Sequence, residues 1–179
     1  MTAPLPPGST IGILGGGQLG RMLASAAAEL GYRTHVLAPD RESVAAQTAS
    51  AVTRADYHNR VVLADFAQSC DVVTYEFENI DLGPVEWLAD RVAVHPHPRA
   101  LKIAQDRVEE KTFLNGVGAR TVDFVAVDSL DDLVAGLERL GTPALLKTRR
   151  EGYDGKGQIW IRKASEAVDA WAFIDARPA

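Results

Sequence analysis

The stretch "LLKTRREGYDGKGQ" places Gly152, Gly155 and Gly157 among Lys147, Arg149, Arg150 and Lys156. Glycine lets the backbone bend and turn its N–H groups toward an anion, and nearby cations offset phosphate charge. In a P-loop or Rossmann unit a helix follows the glycines. Here they join two apolar runs, "PALL" and "QIWI", so the loop is expected to be a hairpin lid. The plainer reading is an exposed basic turn. Lys147 ends the first of these runs, and a cation beside a buried strand calls for an anionic partner.

Two further clusters invite chemistry. "GILGGGQLGRM" spaces Gly15, Gly17 and Gly20 as G-x-G-x-x-G, with Asp40 downstream. That pattern suits a dinucleotide, whose phosphate sits on a helix N-terminus and whose ribose meets the acidic residue. Alone it is weak, and the loop equally suits another phosphate or a carboxylate, with Gln18 adding an amide at its mouth. "YEFEN" spaces Glu76 and Glu78 by two, which on a strand puts both on one side, at the strand end where α/β sheets bind ligands. The alternative is a pair of solvated carboxylates. Arg107, in "QDR", reads as a surface helix charge unless other residues join it. His95 and His97 read as loop residues, Cys70 as a small core residue, and Trp87, Trp160 and Trp171 as packing.

The elements that must position these residues follow from periodicity. "TIGILGG", "RTHVLAP", "DVVTYEF" and "RVAVHP" read as strands, alternating with helices over "QLGRMLASAAAEL", "SVAAQTA" and "GPVEWLAD". The expectation is a parallel, doubly wound sheet over residues 9–100, behind a flexible tail at 1–8. Beyond "HPHP" a smaller unit, 101–179, is expected. It has a helix over "LKIAQDRVEEKTFLNGVG", a strand "TVDFVAV", and a helix capped by Asp128 or Ser129 and ended by Gly141. The hairpin and a final helix over "SEAVDAWAFI" follow.

Composition excludes some classes. Net charge is −5 with no basic block, which argues against nucleic acid, whose phosphates need clustered Lys and Arg. No apolar window reaches membrane-span length. A single cysteine rules out an internal disulfide and fits a reducing cytoplasm.

Taken together and in order, "GGGQLGRM", "YEFEN", "QDR" and "GYDGKGQ" resemble the N5-carboxyaminoimidazole ribonucleotide synthetases of the ATP-grasp superfamily. The resemblance covers about residues 9–175. It implies an α/β chain: a Rossmann-like N-terminal domain that does not bind NAD, then the small lid subdomain of an ATP-grasp fold, with the C-terminal ATP-grasp part absent. It implies ATP bound by Arg107, Lys147 and the lid Gly152, Tyr153, Asp154, Gly155, Lys156, Gly157 and Gln158. It implies a ribonucleotide met by Gly17, Gln18, Leu19 and Glu76, with bicarbonate as the other substrate. Mg2+ ligands and the adenine hinge are expected in the missing part, so residues 1–179 alone are expected to be inactive. A cytoplasmic homodimer is implied for the longer protein. Glu151 departs from the pattern, since the family often has glycine there. Its carboxylate is expected to point outward or to pair with Arg149 or Arg150. Other readings are a sibling ligase, such as a formate-dependent glycinamide ribonucleotide transformylase, and a nucleotide-binding module without catalysis.

Overall fold

The computed structural model describes residues 4–152 and 155–179. The chain forms two compact units, Met1–Lys102 and Ile103–Ala179. The first is built on four strands, β1 (Thr10–Leu14), β2 (Arg33–Ala38), β3 (Ala51–Arg54) and β4 (Val72–Tyr75), in the order β3-β2-β1-β4. All pairs are parallel. Strand alternation sends neighbouring residues to opposite faces. Ile13 and Val36 pack with Ala24 of helix α1 (Gln18–Glu29) and with Ala45 of a short 3-10 turn, Val44–Gln47. Leu14 and Leu37 pack on the other face with Leu63 and Phe66 of α2 (Arg60–Ser69) and Val85 and Leu88 of α3 (Leu82–Ala89). Ala24, Ala27 and Gly20 are the buried residues of α1, and their small size lets the helix lie close to the sheet.

The order reverses at β1, which lies between β2 and β4. Register places Leu14 opposite both Leu37 and Tyr75. The next backbone groups continue the ladder: Gly15 N–H donates to Leu37 O at 3.0 Å, and Glu76 N–H to Leu14 O at 3.1 Å. The glycine loop and the exit of β4 therefore meet at the switch point, where such sheets bind ligands.

Several expectations change in this unit. Residues 51–69, given no element from sequence, hold β3 and α2, the latter capped by Asn59, whose side chain accepts from Val62 N–H. The expected strand "RVAVHP" is reduced to one parallel bridge, Val73 to Val94. The expected loose tail is tied from Leu5 onward. Tyr32 Oη donates to Leu5 O, and Gly8 N–H donates to Gly31 O at 2.8 Å.

Helix α4 (Pro98–Ala104) runs across the division between the units. The second unit holds α5 (Arg107–Gly116), α6 (Leu130–Leu140), the antiparallel pair β5 (Ala144–Lys147) and β6 (Gln158–Ile161), and α7 (Ala167–Phe173). Its core joins Leu133 and Leu137 to Leu146, Ile161, Ala170 and Ile174. Ser129 caps α6 through Asp132 N–H, and Gly141, at φ 80°, ends it in the left-handed region that glycine favours. The single helix expected over 101–118 is broken at Asp106. Its side chain accepts from Val108 N–H and Glu109 N–H and starts α5 afresh. The expected strand "TVDFVAV" is not regular. Of its backbone, Val127 alone pairs in both directions, with Ala179 at 2.8 Å each way, so among the described residues no strand lies alongside to order the rest.

Candidate functional site

The first candidate lies at the switch point. Glu76 follows the last residue of β4, and its side chain turns back to the glycine loop. Gly17 N–H donates to Oε1 at 2.7 Å, and Gly20 N–H donates to Oε2. Glu78 does not share a strand face with it: the strand stops at Tyr75, and Glu78 sits in the following turn. Gln18 and Leu19 are exposed on the first turn of α1 beside this carboxylate-filled loop. Tyr57 lies within the field of both Glu76 and Asp40. Burial first, then those two charges, push its hydroxyl up to about 12, so it is protonated near neutral pH.

The second candidate is the base of the β5–β6 hairpin. Register sets Lys147 opposite Gln158. Thr148 is buried and receives the turn: its N–H donates to Gly157 O at 2.8 Å. Gly157, at φ 67°, has no room for a side chain, since a Cβ there would lie 2.5 Å from Thr148 Oγ1. Arg107, the first residue of α5, reaches across to the same turn. Its Nη2 donates to Gly152 O and its Nε to Thr148 O at 3.2 Å. Asp106 beside it holds Arg149, which also meets Asp128, while Arg150 lies 3.6 Å from Asp106. Glu151 is exposed, in the outward position expected, and among the described residues it forms no ion pair with either arginine. Its φ is 61°, a backbone better suited to glycine.

Lys147 corrects one expectation. It is exposed, so no buried partner is required, while Leu146 and Thr148 on either side point inward. Its side of the strand faces a cavity of about 630 Å3 within this unit, lined by Arg107, Lys111, Phe124, Val125, Lys147 and Trp160 among others. Lys111 Nζ lies 5.0 Å from the Phe124 ring centroid. Its pKa is lowered, first by burial, then by the charges of Lys147 and Arg107, with Glu110 opposing. Four cations, Arg139 with these three, thus share one cavity with aromatic and aliphatic walls and with the carboxylates Glu110 and Asp123. Trp160 is 54% exposed there rather than packed in a core.

Comparison with known proteins identifies the family. A model of the ribonucleotide synthetase preATP-grasp domain matches residues 8–105, more than half of the chain. The chain belongs to the ribonucleotide synthetase preATP-grasp family. A model of the ATP-grasp domain matches residues 112–179. The N5-carboxyaminoimidazole ribonucleotide synthase of Brucella melitensis is 49% identical over 177 residues, covering 98% of this chain and 49% of that protein. The N5-carboxyaminoimidazole synthetase of Staphylococcus aureus, solved with ADP, superposes with a TM-score of 0.90 at 37% identity, over 97% of this chain and 47% of the other. The Aspergillus clavatus enzyme, solved with ADP and 5-aminoimidazole ribonucleotide, gives 0.81 at 28% identity, over 96% and 45%. The chain therefore spans about half the length of these relatives.

Within this family frame the structure brings together Gly17 and Glu76 in one place, and Arg107, Lys147, Gly152, Gly157 and Gln158 in another. Gly155, at φ 81°, lies in the hairpin turn with Lys156. Tyr153 and Asp154 lie outside the described residues. Sequence reading missed Asp106, Thr148 and Lys111. Asp106 carried a signal, because an aspartate followed three residues later by Glu109 is a helix-start pattern. Lys111 did too, since it is four residues after Arg107 and so shares its helix face. Thr148 carried none.

Proposed function

We propose that this chain is the N-terminal half of an ATP-dependent ligase that carboxylates 5-aminoimidazole ribonucleotide with bicarbonate. The observation that carries the reading is the cavity with Arg107, Lys111 and Lys147 beside a glycine hairpin, in a chain 49% identical to a synthase of that name. ATP phosphorylates bicarbonate to carboxyphosphate, and the carboxyl unit passes to the exocyclic amine of the imidazole. The products are N5-carboxyaminoimidazole ribonucleotide, ADP and phosphate.

In this reading the chain supplies charge and enclosure. Cations held in fixed positions stabilise phosphate charge with little reorganisation. Lys147 and Lys111 serve the nucleotide phosphates. Arg107 spends two donors on the hairpin backbone and so fixes the lid's base, with its remaining N–H groups left for an anion. The hairpin from Gly152 to Gln158 closes over the phosphates and keeps water from the labile intermediate. Gly17, Gln18, Leu19 and Glu76 form the seat of the ribonucleotide. Two of the lone-pair directions of Glu76 go to the loop, which leaves the others for substrate.

ATP requires Mg2+, and the residues here do not fit it: among the described residues no three His, Cys, Asp or Glu side chains are grouped to hold a metal. In this reading the ion belongs to the part of the relatives' length that this chain does not span. No helix among the described residues is long and apolar enough to cross a membrane. In this reading the ligase works in the cytoplasm as a homodimer.

The test is phosphate release from ATP by the uninterrupted gene product with bicarbonate, with and without 5-aminoimidazole ribonucleotide. Release stimulated by the ribonucleotide is expected. Equal release with and without it, from folded protein, sinks the substrate assignment. Nucleotide binding without any release favours a binding module.

A further inference from the structure

The glycine loop has the spacing of a dinucleotide site, and the fold gives it the parallel sheet, switch point and helix N-terminus that such a site uses. Two of its donors are nevertheless taken from within. Gly17 N–H and Gly20 N–H, the groups that would face a pyrophosphate, both donate to the Glu76 carboxylate. All three fingerprint glycines abut this same side chain, and a Cβ on Gly20 would also lie 2.9 Å from Gly15 O. A Cβ on Gly17 would lie 2.9 Å from Oε1 and one on Gly20 2.8 Å from Oε2, while one on Gly15 would overlap the Glu76 side chain outright. In dinucleotide domains the second glycine clears space for pyrophosphate. Here that space holds a carboxylate of the same chain. Asp40, which in a dinucleotide domain would hold a ribose, joins Glu76 in acting on Tyr57.

We propose that Glu76 is the built-in anion of the glycine loop and the residue that sets its specificity, barring phosphate and pyrophosphate groups, and with them nicotinamide and flavin dinucleotides, from the α1 N-terminus. An N–H has one hydrogen to give, so a carboxylate and a phosphate oxygen compete for it, and like charges at contact repel. The inference goes beyond the ligase reading and does not depend on it, because neither ATP nor ribonucleotide enters its test.

The test follows the Gly17 and Gly20 amide proton shifts in this chain and in Glu76→Ala. In the parent, neither millimolar formate nor inorganic pyrophosphate moves these amides. In Glu76→Ala both amides change shift, and formate, which replaces the missing carboxylate, restores them saturably. Pyrophosphate also binds the variant there, at least about tenfold tighter than the parent. Saturable movement of the parent amides with pyrophosphate overturns the proposal. So does a folded Glu76→Ala chain whose amides answer neither anion. A variant that folds only in formate supports it. If the variant folds in neither anion, the parent titration decides: movement overturns and stillness supports.

Discussion

Asp106 and Arg149 are joined by two contacts, Oδ2 to Nη2 at 3.0 Å and Oδ1 to Nε at 3.2 Å, between the start of α5 and the end of β5. The same carboxylate caps α5. One buried side chain thus holds both the helix that presents Arg107 and Lys111 and the strand that presents Lys147.

Asp106→Ala is expected to destabilise the chain by about 2–3 kcal/mol, combining a lost cap with a lost charged hydrogen bond. Asp106→Asn keeps the cap and loses the charge, so its cost should be smaller by about 1 kcal/mol. Denaturant unfolding measures both. The Asp106 pKa is lowered. Burial raises it, but the Arg149 hydrogen bond, the two amides and the Arg149 charge outweigh that. A lowered carboxylate pKa stabilises above the unfolded value and loses that stabilisation as pH falls through the folded value. Parent stability should therefore drop below about pH 4 more steeply than that of Asp106→Asn.

His58 lies between two carboxylates, with Nδ1 3.0 Å from Asp56 and Nε2 2.8 Å from Asp81, the cap of α3. The hydrogen bonds to Asp56 and then Asp81 raise its pKa. A raised histidine stabilises fully below its unfolded pKa and loses that contribution as pH rises through the folded one. Melting temperature should fall as pH rises above 6.5, and His58→Gln should flatten that slope. Equal slopes would show that the two contacts contribute nothing.

Glu151 holds φ at 61° without the freedom of glycine. Glu151→Gly should stabilise by about 0.5–1 kcal/mol, the relieved left-handed strain less the extra entropy of the unfolded glycine. Gly157→Ala is the opposite case, with φ at 67° and Thr148 Oγ1 in the way, and should cost more than Glu151→Gly gains. Chemical denaturation of the two variants ranks them.

Lys147→Ala in the longer protein should weaken ATP binding by about 1.5–3 kcal/mol, the worth of a charged hydrogen bond. Lys111→Met should weaken it less, and calorimetric titration with ATP would rank the two. Glu76→Gln should instead raise the KM for the ribonucleotide and leave ATP binding near normal. Unchanged ATP affinity in Lys147→Ala would remove that residue from the nucleotide site.

What the sequence determined by itself was local. Ser129 and Gly141 bound α6 because caps act within one turn, and the glycines of the hairpin declared a bend because glycine adopts positive φ without steric cost. The alternation of strands and helices declared a parallel sheet because parallel neighbours need a crossover, which a helix supplies. The strand "TVDFVAV" failed because a strand needs a neighbour, and the described residues give only Val127 a two-way partner. The break at Asp106 was legible as a cap but lay inside a continuous helical period. Tertiary structure alone decided what the glycine loop holds. Gly17 and Glu76 are 59 residues apart, and only the parallel register of β1 with β4 sets the carboxylate against the loop's N–H groups. A motif records which backbone is free to bind an anion; which anion it meets depends on strand order, and strand order is a property of the packed sheet.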